Sequence, residues 1–187
     1  MWYINYIKMN DIMYEKMIEL TNEKKLVSVY YYDDNDNFDV GFIANVGEDN
    51  YILKNVSKNG KYNGYILGTT SNICALGIEE LYLEDILRLY TKNERKHSSI
   101  IFKDDNLIIE LLKYAMKKEY VISMEINQSG DIDVQGIVVS VDEDCITIEK
   151  LSDSGIKDGL LYIDTTSIDK IYCNTDNEKK IRELSEI

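Results

Sequence analysis

Helical and strand-like spacings of apolar residues follow one another along the first half of the chain. Residues 12–20 place apolar side chains on one helical face, behind the N-cap candidates Asn10 and Asp11. Runs rich in β-branched and aromatic residues then predict five strands, at residues 26–32, 38–46, 51–54, 65–67 and 72–76. Residues 80–90 return to helical spacing. The pattern therefore predicts a helix, five short strands and a closing helix.

The same order returns 95 residues later without a gap, so that Gly41 falls on Gly136. The second copy predicts a helix that begins near residue 106, strands at 121–126, 133–141, 145–148, 160–163 and 168–172, and a closing helix at 177–184. A rival alignment of residues 81–84 with residues 161–164 would make residues 81–90 a pair of strands. It needs gaps and breaks the glycine register, so we favour the gapless duplication of one unit.

Six glycines recur in register and predict backbone features. Gly41 and Gly136 lie inside the second strand of each copy, where a glycine indicates a bulge or a sharp bend. The other four bound the turn before the fourth strand: Gly60, Gly64, Gly155 and Gly159. Because the chain contains no proline, its turns rest on glycine, asparagine and aspartate.

Consecutive short strands joined by tight turns predict a closed or nearly closed small barrel in each copy. We expect a mainly β protein with helices, of the α+β class, made of two tandem five-stranded barrels, each with an N-terminal helix and a short closing helix. The expected division is an N-terminal extension at 1–10, a first barrel repeat at 11–91, a linker at 92–105 and a second barrel repeat at 106–187. We expect the repeats to form a pseudo-dimer within the chain, and the sequence leaves homo-oligomers open.

The order of one helix and five strands resembles the Sm-like fold, an SH3-type small barrel, here in tandem. The strand glycine, the acidic turn and the G-x-x-x-G spacing also resemble a set of uncharacterised bacterial proteins. The Sm-like resemblance implies RNA binding as one function. Neither residues 42–44, after Gly41, nor residues 137–139, after Gly136, carry the family's uridine-binding signature.

The net charge of −13 comes from both halves of the chain, since residues 1–95 hold 15 of the 34 acidic side chains. Nucleic-acid binding rests on cations that neutralise phosphates, so a basic protein surface is the favoured partner and a nucleic acid is less favoured. No apolar run approaches the roughly 18 residues of a membrane span. The N-terminus lacks a basic flank and a cleavage site, so we expect a mature cytoplasmic protein without a membrane partner.

The residue types of common catalytic and metal sites occur without their usual partners. The cysteines share no CxxC spacing, and we expect Cys74 and Cys145 to be buried thiols. His97, the single histidine, lies in the basic linker. The acidic pair at residues 48–49 recurs at 143–144, where a tight turn accounts for it. We expect no catalytic residue, metal or cofactor, and a hydrolase that uses these carboxylates is the least favoured alternative.

The segment in which the copies differ most is the candidate functional region. The candidate interaction surface consists of Tyr30, Tyr32, Asp33, Asp34, Asp36 and Asp39. Alternate residues of a strand face opposite ways, so Tyr31 cannot share a face with its two neighbours, and the three rings cannot form one stacking platform for bases. Either Tyr31 packs inward and its neighbours cover the edge, or the reverse.

The same segment spaces oxygen ligands as a calcium loop does, at Asp33, Asn35, Asn37 and Asp39. The positions that need glycine and glutamate in such a loop hold Phe38 and Ala44. We therefore favour an Asx-rich hairpin turn over a calcium site.

These observations favour a non-enzymatic protein-interaction module with an acidic surface, inhibitory or immunity-like by analogy. The alternative is an RNA-binding Sm-like protein, which rests on the resemblance of the fold alone.

Overall fold

The computed structural model describes residues 2–32, 37–93, 102 and 106–187, with the backbone alone for residues 2–11. The first repeat contains two helices and five strands: α1 (Trp2–Glu23), β1 (Leu26–Tyr31), β2 (Phe38–Val46), β3 (Asn50–Val56), β4 (Tyr62–Thr69), β5 (Ile73–Ile78) and α2 (Leu81–Asn93). One turn of 3-10 helix, Thr70–Asn72, precedes β5.

The second repeat contains the same elements: α3 (Leu107–Lys118), β6 (Val121–Ile126), β7 (Val134–Val141), β8 (Cys145–Leu151), β9 (Lys157–Asp164), β10 (Ile168–Cys173) and α4 (Asp176–Ser185). Each of β6, β8, β9 and β10 begins and ends 95 residues after its counterpart. The predicted order of helix, five strands and helix is found in both halves of the chain, and residues 81–90 are helical as predicted.

The chain divides into two compact units, the first made of Met1–Tyr62 and Thr69–Ile101. Its strands pair in the order β5-β1-β2-β3, all antiparallel. Helix α1 packs against β2 and buries Met17 and Leu20 completely or nearly so. Helix α2 packs on a second apolar cluster, which consists of Leu26, Val40, Val56, Leu83 and Ile86. The strands of this unit are thus covered by a helix from each end of the repeat.

The second unit consists of Asn63–Gly68 and Phe102–Ile187. Its strands pair in the antiparallel order β4-β10-β6-β7-β8-β9. Helix α3 packs against β7, and α4 buries Ile181 against Val121 and Leu151. The unit therefore holds the five strands of its own repeat and one strand, β4, from the first repeat.

The fold is mainly β with four helices, so the predicted α+β class is confirmed. Among the described strands no pairing closes the sheet of either unit, and the two small barrels stay a prediction. The pairing of β4 with β10 explains why the units do not follow the repeats: residues 63–68 belong to the first repeat in sequence and to the second unit in structure.

Gly41 and Gly136 are required by close backbone approach. A Cβ at Gly41 would lie 2.3 Å from the carbonyl oxygen of Lys54, and one at Gly136 would lie 2.2 Å from that of Glu149. The register shift between the second and third strands falls two residues further on, at Ile43 and its counterpart in the second repeat. The glycines thus allow the second and third strands of each repeat to approach closely, and the bulge lies two residues further along the second strand.

Gly60 and Gly155 have positive φ angles of 64° and 75° in the turn before the fourth strand. A side chain at Gly60 would also collide with Leu89 of α2, and one at Gly155 would collide with Ser185 of α4. Each glycine therefore allows the closing helix to lie directly on the turn.

The prediction that Cys74 is buried is wrong, because β5 is the end strand of its unit and the thiol is exposed. Cys145 is half-buried, and Cys173 alone is fully buried.

Candidate interaction surface

The alternation of β1 decides which tyrosine faces the interior. Val29 and Tyr31 are buried on one side of the strand, whereas Ser28 and Tyr30 point to the side that α2 covers. Tyr32, just after the strand, is exposed. The inward tyrosine is therefore Tyr31, which leaves Tyr30 and Tyr32 as candidates for recognition.

Tyr31 belongs to a buried group of hydroxyls and one carboxylate. Its hydroxyl donates to Asp39 Oδ2 at 2.6 Å and lies 2.7 Å from the hydroxyl of Tyr51. Burial, followed by the neighbouring Tyr51 and Asp39, raises the pKa of Tyr31 well above its usual range. Burial likewise raises the pKa of Tyr51. Asp39, one of the predicted surface residues, is thus hydrogen-bonded to a buried tyrosine and has a structural role.

Three aromatic side chains form a surface cluster in the first unit. Tyr30 and Phe38 are directly paired across β1 and β2, with ring centroids 4.9 Å apart. Tyr82, in the first turn of α2, meets Phe38 edge-on at 5.6 Å. Phe38 and Tyr82 are exposed and Tyr30 is half-buried. We call Tyr30, Phe38 and Tyr82 the aromatic cluster.

A carboxylate lies beside the aromatic cluster at the start of α2. Glu80 accepts hydrogen bonds from Ser28 Oγ at 2.6 Å and from the hydroxyl of Tyr30 at 3.3 Å. The preceding carboxylate, Glu79, accepts from Lys25 Nζ at 2.9 Å, and this bond raises the pKa of Lys25 and lowers that of Glu79. Glu79 is therefore paired with a lysine, whereas the hydrogen bonds to Glu80 come from the hydroxyls of Ser28 and Tyr30.

A serine–glutamate hydrogen bond is common to both repeats. Ser123, the counterpart of Ser28, donates to Glu178 Oε1 at 2.7 Å, and Thr175 N donates to Glu178 Oε2 at 3.0 Å. Glu178 is almost completely buried and closes a capping box at the start of α4. The shared bond between the first strand and the closing helix is thus structural.

The aromatic cluster has no counterpart in the second repeat. The aligned positions hold Glu125, Asp133 and Asn177. Glu125 accepts from the Tyr172 hydroxyl at 3.0 Å. Asp133 accepts from Ser129 Oγ, a bond that lowers its pKa, and it helps to fold the β6–β7 turn. The two repeats therefore share a scaffold and differ at this surface.

Sequence reasoning placed Tyr30 in this surface and missed Phe38, Tyr82 and Glu80. The signal was present, because the first repeat is aromatic at three positions where the second is polar. It was scattered over β1, β2 and α2, and only the fold brings these positions together. The predicted Asp33, Asp34 and Asp36 lie outside the described residues, as does His97.

The recurring acidic turns, at residues 48–49 and 143–144, accept hydrogen bonds through their backbone carbonyls. Thr70 Oγ1 donates to the carbonyl of Asp49 at 3.1 Å, and Thr165 Oγ1 donates to that of Glu143 at 2.9 Å. Within the described part of the chain, no three acidic, histidine or cysteine side chains are grouped so that they could hold a metal ion.

Comparison with protein-family models, with curated proteins and with solved structures finds no match for this chain. None of the helices in the described residues is both long and apolar enough to cross a bilayer.

Proposed function

We propose that this protein is a non-enzymatic protein-interaction module whose acidic, aromatic surface binds a basic protein partner in the cytoplasm. The observation that carries the proposal is the aromatic cluster, which is present in the first repeat and replaced by polar residues in the second. A feature that the shared scaffold does not need is the natural place for a specific function.

The chemistry of the cluster suits a cationic side chain. Ring faces attract lysine and arginine, and each such contact contributes about 0.5–2 kcal/mol. Glu80 supplies a carboxylate beside Tyr30, and a carboxylate oxygen that already accepts one hydrogen bond has a further lone pair for a guanidinium. An arginine that stacks on the rings would therefore find a charged acceptor within reach.

The net charge of −13 affects how fast a basic partner associates with this protein. A strongly acidic surface steers a basic partner towards it and speeds association, most of all at low salt. Where the basic surface that the module covers is the partner's own functional site, binding blocks that site, and the module is then inhibitory or immunity-like.

The scaffold of this proposal is a tandem of Sm-like small barrels that form a pseudo-dimer within one chain. It is supported by the repeated strand order and by the pairing of β4, from the first repeat, with β10, from the second. The alternative function is RNA binding, which the exposed rings favour because bases stack on aromatic side chains. The acidic charge disfavours it, since 34 acidic side chains outnumber the 21 lysines and arginines that could neutralise phosphates.

Fluorescence anisotropy with an arginine-rich peptide and with mixed-sequence RNA oligonucleotides separates the two functions. We expect the peptide to bind, and Tyr82→Ala to weaken binding about 3- to 30-fold because one ring of the cluster is lost. The matched control is Tyr14→Ala, which removes an exposed ring of α1 outside the cluster and should leave affinity unchanged.

Micromolar RNA affinity that falls steeply with salt would replace the proposed function by its alternative. Peptide binding that Tyr82→Ala and Tyr14→Ala weaken equally would remove the aromatic cluster from the interface.

A further inference from the structure

The first and fifth strands of each repeat pair in the same register. In the first repeat Ala75 of β5 lies opposite Tyr30 of β1, next to a register shift. In the second repeat Lys170 of β10 lies opposite Glu125 of β6, again next to a register shift. The two pairs correspond at the 95-residue offset. Residues directly opposite each other in an antiparallel pair place their side chains on the same face, so the two repeats can be compared position by position on this face.

The second repeat carries a lysine on this face. The hydroxyl of Tyr172 donates to Glu125 Oε1 at 3.0 Å. Lys170 Nζ lies 4.9 Å from the centroid of the Tyr172 ring, and Lys170 is directly opposite Glu125. All three side chains are half-buried. The second repeat thus holds one cation of its own on a tyrosine ring, beside the carboxylate that accepts the tyrosine's hydrogen bond.

The first repeat contains the same tyrosine–carboxylate pair, built from different positions. The hydroxyl of Tyr30 donates to Glu80 Oε1 at 3.3 Å. Glu80 reaches the face over Gly77, the counterpart of Tyr172, since a Cβ at Gly77 would lie 2.4 Å from Glu80 Oε2. The tyrosine therefore comes from the first strand instead of the fifth, and the carboxylate comes from the start of α2 instead of the first strand.

The position of the lysine is left open in the first repeat. Ala75, the counterpart of Lys170, is exposed and has no side chain beyond Cβ. Within the residues that the structure describes, neither the Tyr30 ring nor the Glu80 carboxylate makes a hydrogen bond, ion pair or ring contact with a lysine or arginine. Lys25, close by, is paired with Glu79 at 2.9 Å. The first repeat thus has the ring and the carboxylate without the cation.

We propose that the first repeat binds one cationic side chain of a protein partner over the Tyr30 ring, where Lys170 lies in the second repeat. The inference rests on the proposed function, and it states where the partner's lysine or arginine is bound. The second repeat fills its own position with Lys170, whose ammonium repels a further cation. Ala75 is then a specificity-determining residue, because its short side chain leaves the position free for the partner.

The occupant is a long cationic side chain because both ends of the site suit one. Ring faces attract ammonium and guanidinium groups, and a carboxylate binds either by charge-assisted hydrogen bonds. The exposed rings of Phe38 and Tyr82 continue from Tyr30, and the aliphatic part of a lysine or arginine packs well on such a surface. The net charge of −13 draws a basic partner to the site.

Filling the open position from within the chain tests the proposal. Ala75→Lys restores the residue that the second repeat carries, so it should compete with the partner's cation. By fluorescence anisotropy at about 150 mM salt, we expect it to weaken binding of the arginine-rich peptide about 5- to 30-fold, the loss of one cation–ring and carboxylate contact. The matched control is Ser71→Lys, which adds the same charge at an exposed residue before β5 and should weaken binding less than about 2-fold.

A second variant separates occupation of the site from a general effect of charge. Glu80→Gln should weaken peptide binding in the wild-type background, because the carboxylate beside the ring is lost. In the Ala75→Lys background it should change the affinity little, since the partner's cation is already excluded, and such non-additivity shows that the two residues act at one site. Circular dichroism of each variant checks that the first unit stays folded.

The outcomes distinguish this inference from the proposed function. A wild-type protein that does not bind the peptide would overturn both. Peptide binding that Tyr82→Ala weakens, but that Ala75→Lys and Ser71→Lys affect equally, would leave the proposed function standing and overturn the position of the cation. Additive effects of Glu80→Gln and Ala75→Lys would overturn it as well.

Discussion

At the scale of single residues, the buried Tyr31 hydroxyl is a test of how much polar contacts inside the first unit contribute. Tyr31→Phe removes the bond to Asp39 and leaves the buried hydroxyl of Tyr51 without the contact it makes at 2.7 Å. We expect the free energy of unfolding, measured by urea denaturation, to fall by about 1–3 kcal/mol. Tyr32→Phe, one position further and exposed, should change it by less than about 0.5 kcal/mol.

Residue types and strand period predicted part of this picture. The period of two requires Tyr31 to oppose its neighbours, but it does not say which face is inner, because α1 and α2 cover both sides of the first unit. The burial of Cys74 was mispredicted for a related reason. An apolar run identifies a strand, whereas exposure depends on whether that strand lies at the end of its sheet.

At the scale of elements, Glu178 holds α4 to the second unit. Glu178→Ala removes the acceptor of Ser123 Oγ and of the Thr175 N–H, both in buried positions. We expect a loss of about 2–3 kcal/mol in the free energy of unfolding, from the cap and from the donors left without an acceptor. Glu183→Ala is the control, since it removes an exposed carboxylate from the same helix. Equal losses in the two variants would contradict the conclusion that Glu178 holds α4 to the second unit.

Local patterns predicted the order of elements well, because helical and strand periods are properties of short segments. They did not predict that β4 pairs with β10, since that pairing joins residues more than 100 positions apart. They also did not predict the serine–glutamate hydrogen bond that both repeats contain. The serines align at the repeat offset, but the glutamates, Glu80 and Glu178, do not, and only the packing of the closing helices shows that both reach the first strand.

At the scale of the whole molecule, both units contain tyrosine or cysteine side chains whose pKa is raised by burial. Burial raises the pKa of Tyr31 and Tyr51 in the first unit, and of Tyr114 and Cys173 in the second. In the unfolded chain such groups ionise near pH 10 for tyrosine and about pH 8.5 for cysteine. Above these values the unfolded state binds fewer protons than the native state, so stability is fully present below them and is lost as pH rises.

We therefore expect the free energy of unfolding to be nearly level from pH 7 to 8 and to fall increasingly above about pH 9. Each group that is ionised in the unfolded chain and protonated in the native state adds about −1.4 kcal/mol per pH unit to the slope of the free energy of unfolding. Urea denaturation at a series of pH values measures the slope above pH 10. Tyr51→Phe should make it shallower, because a group that the native state keeps protonated is gone, whereas Tyr32→Phe, which removes an exposed phenol, is the control. A slope that Tyr51→Phe leaves unchanged would show that the Tyr31–Tyr51 pair ionises without unfolding, and the interior of the first unit would then have to admit water.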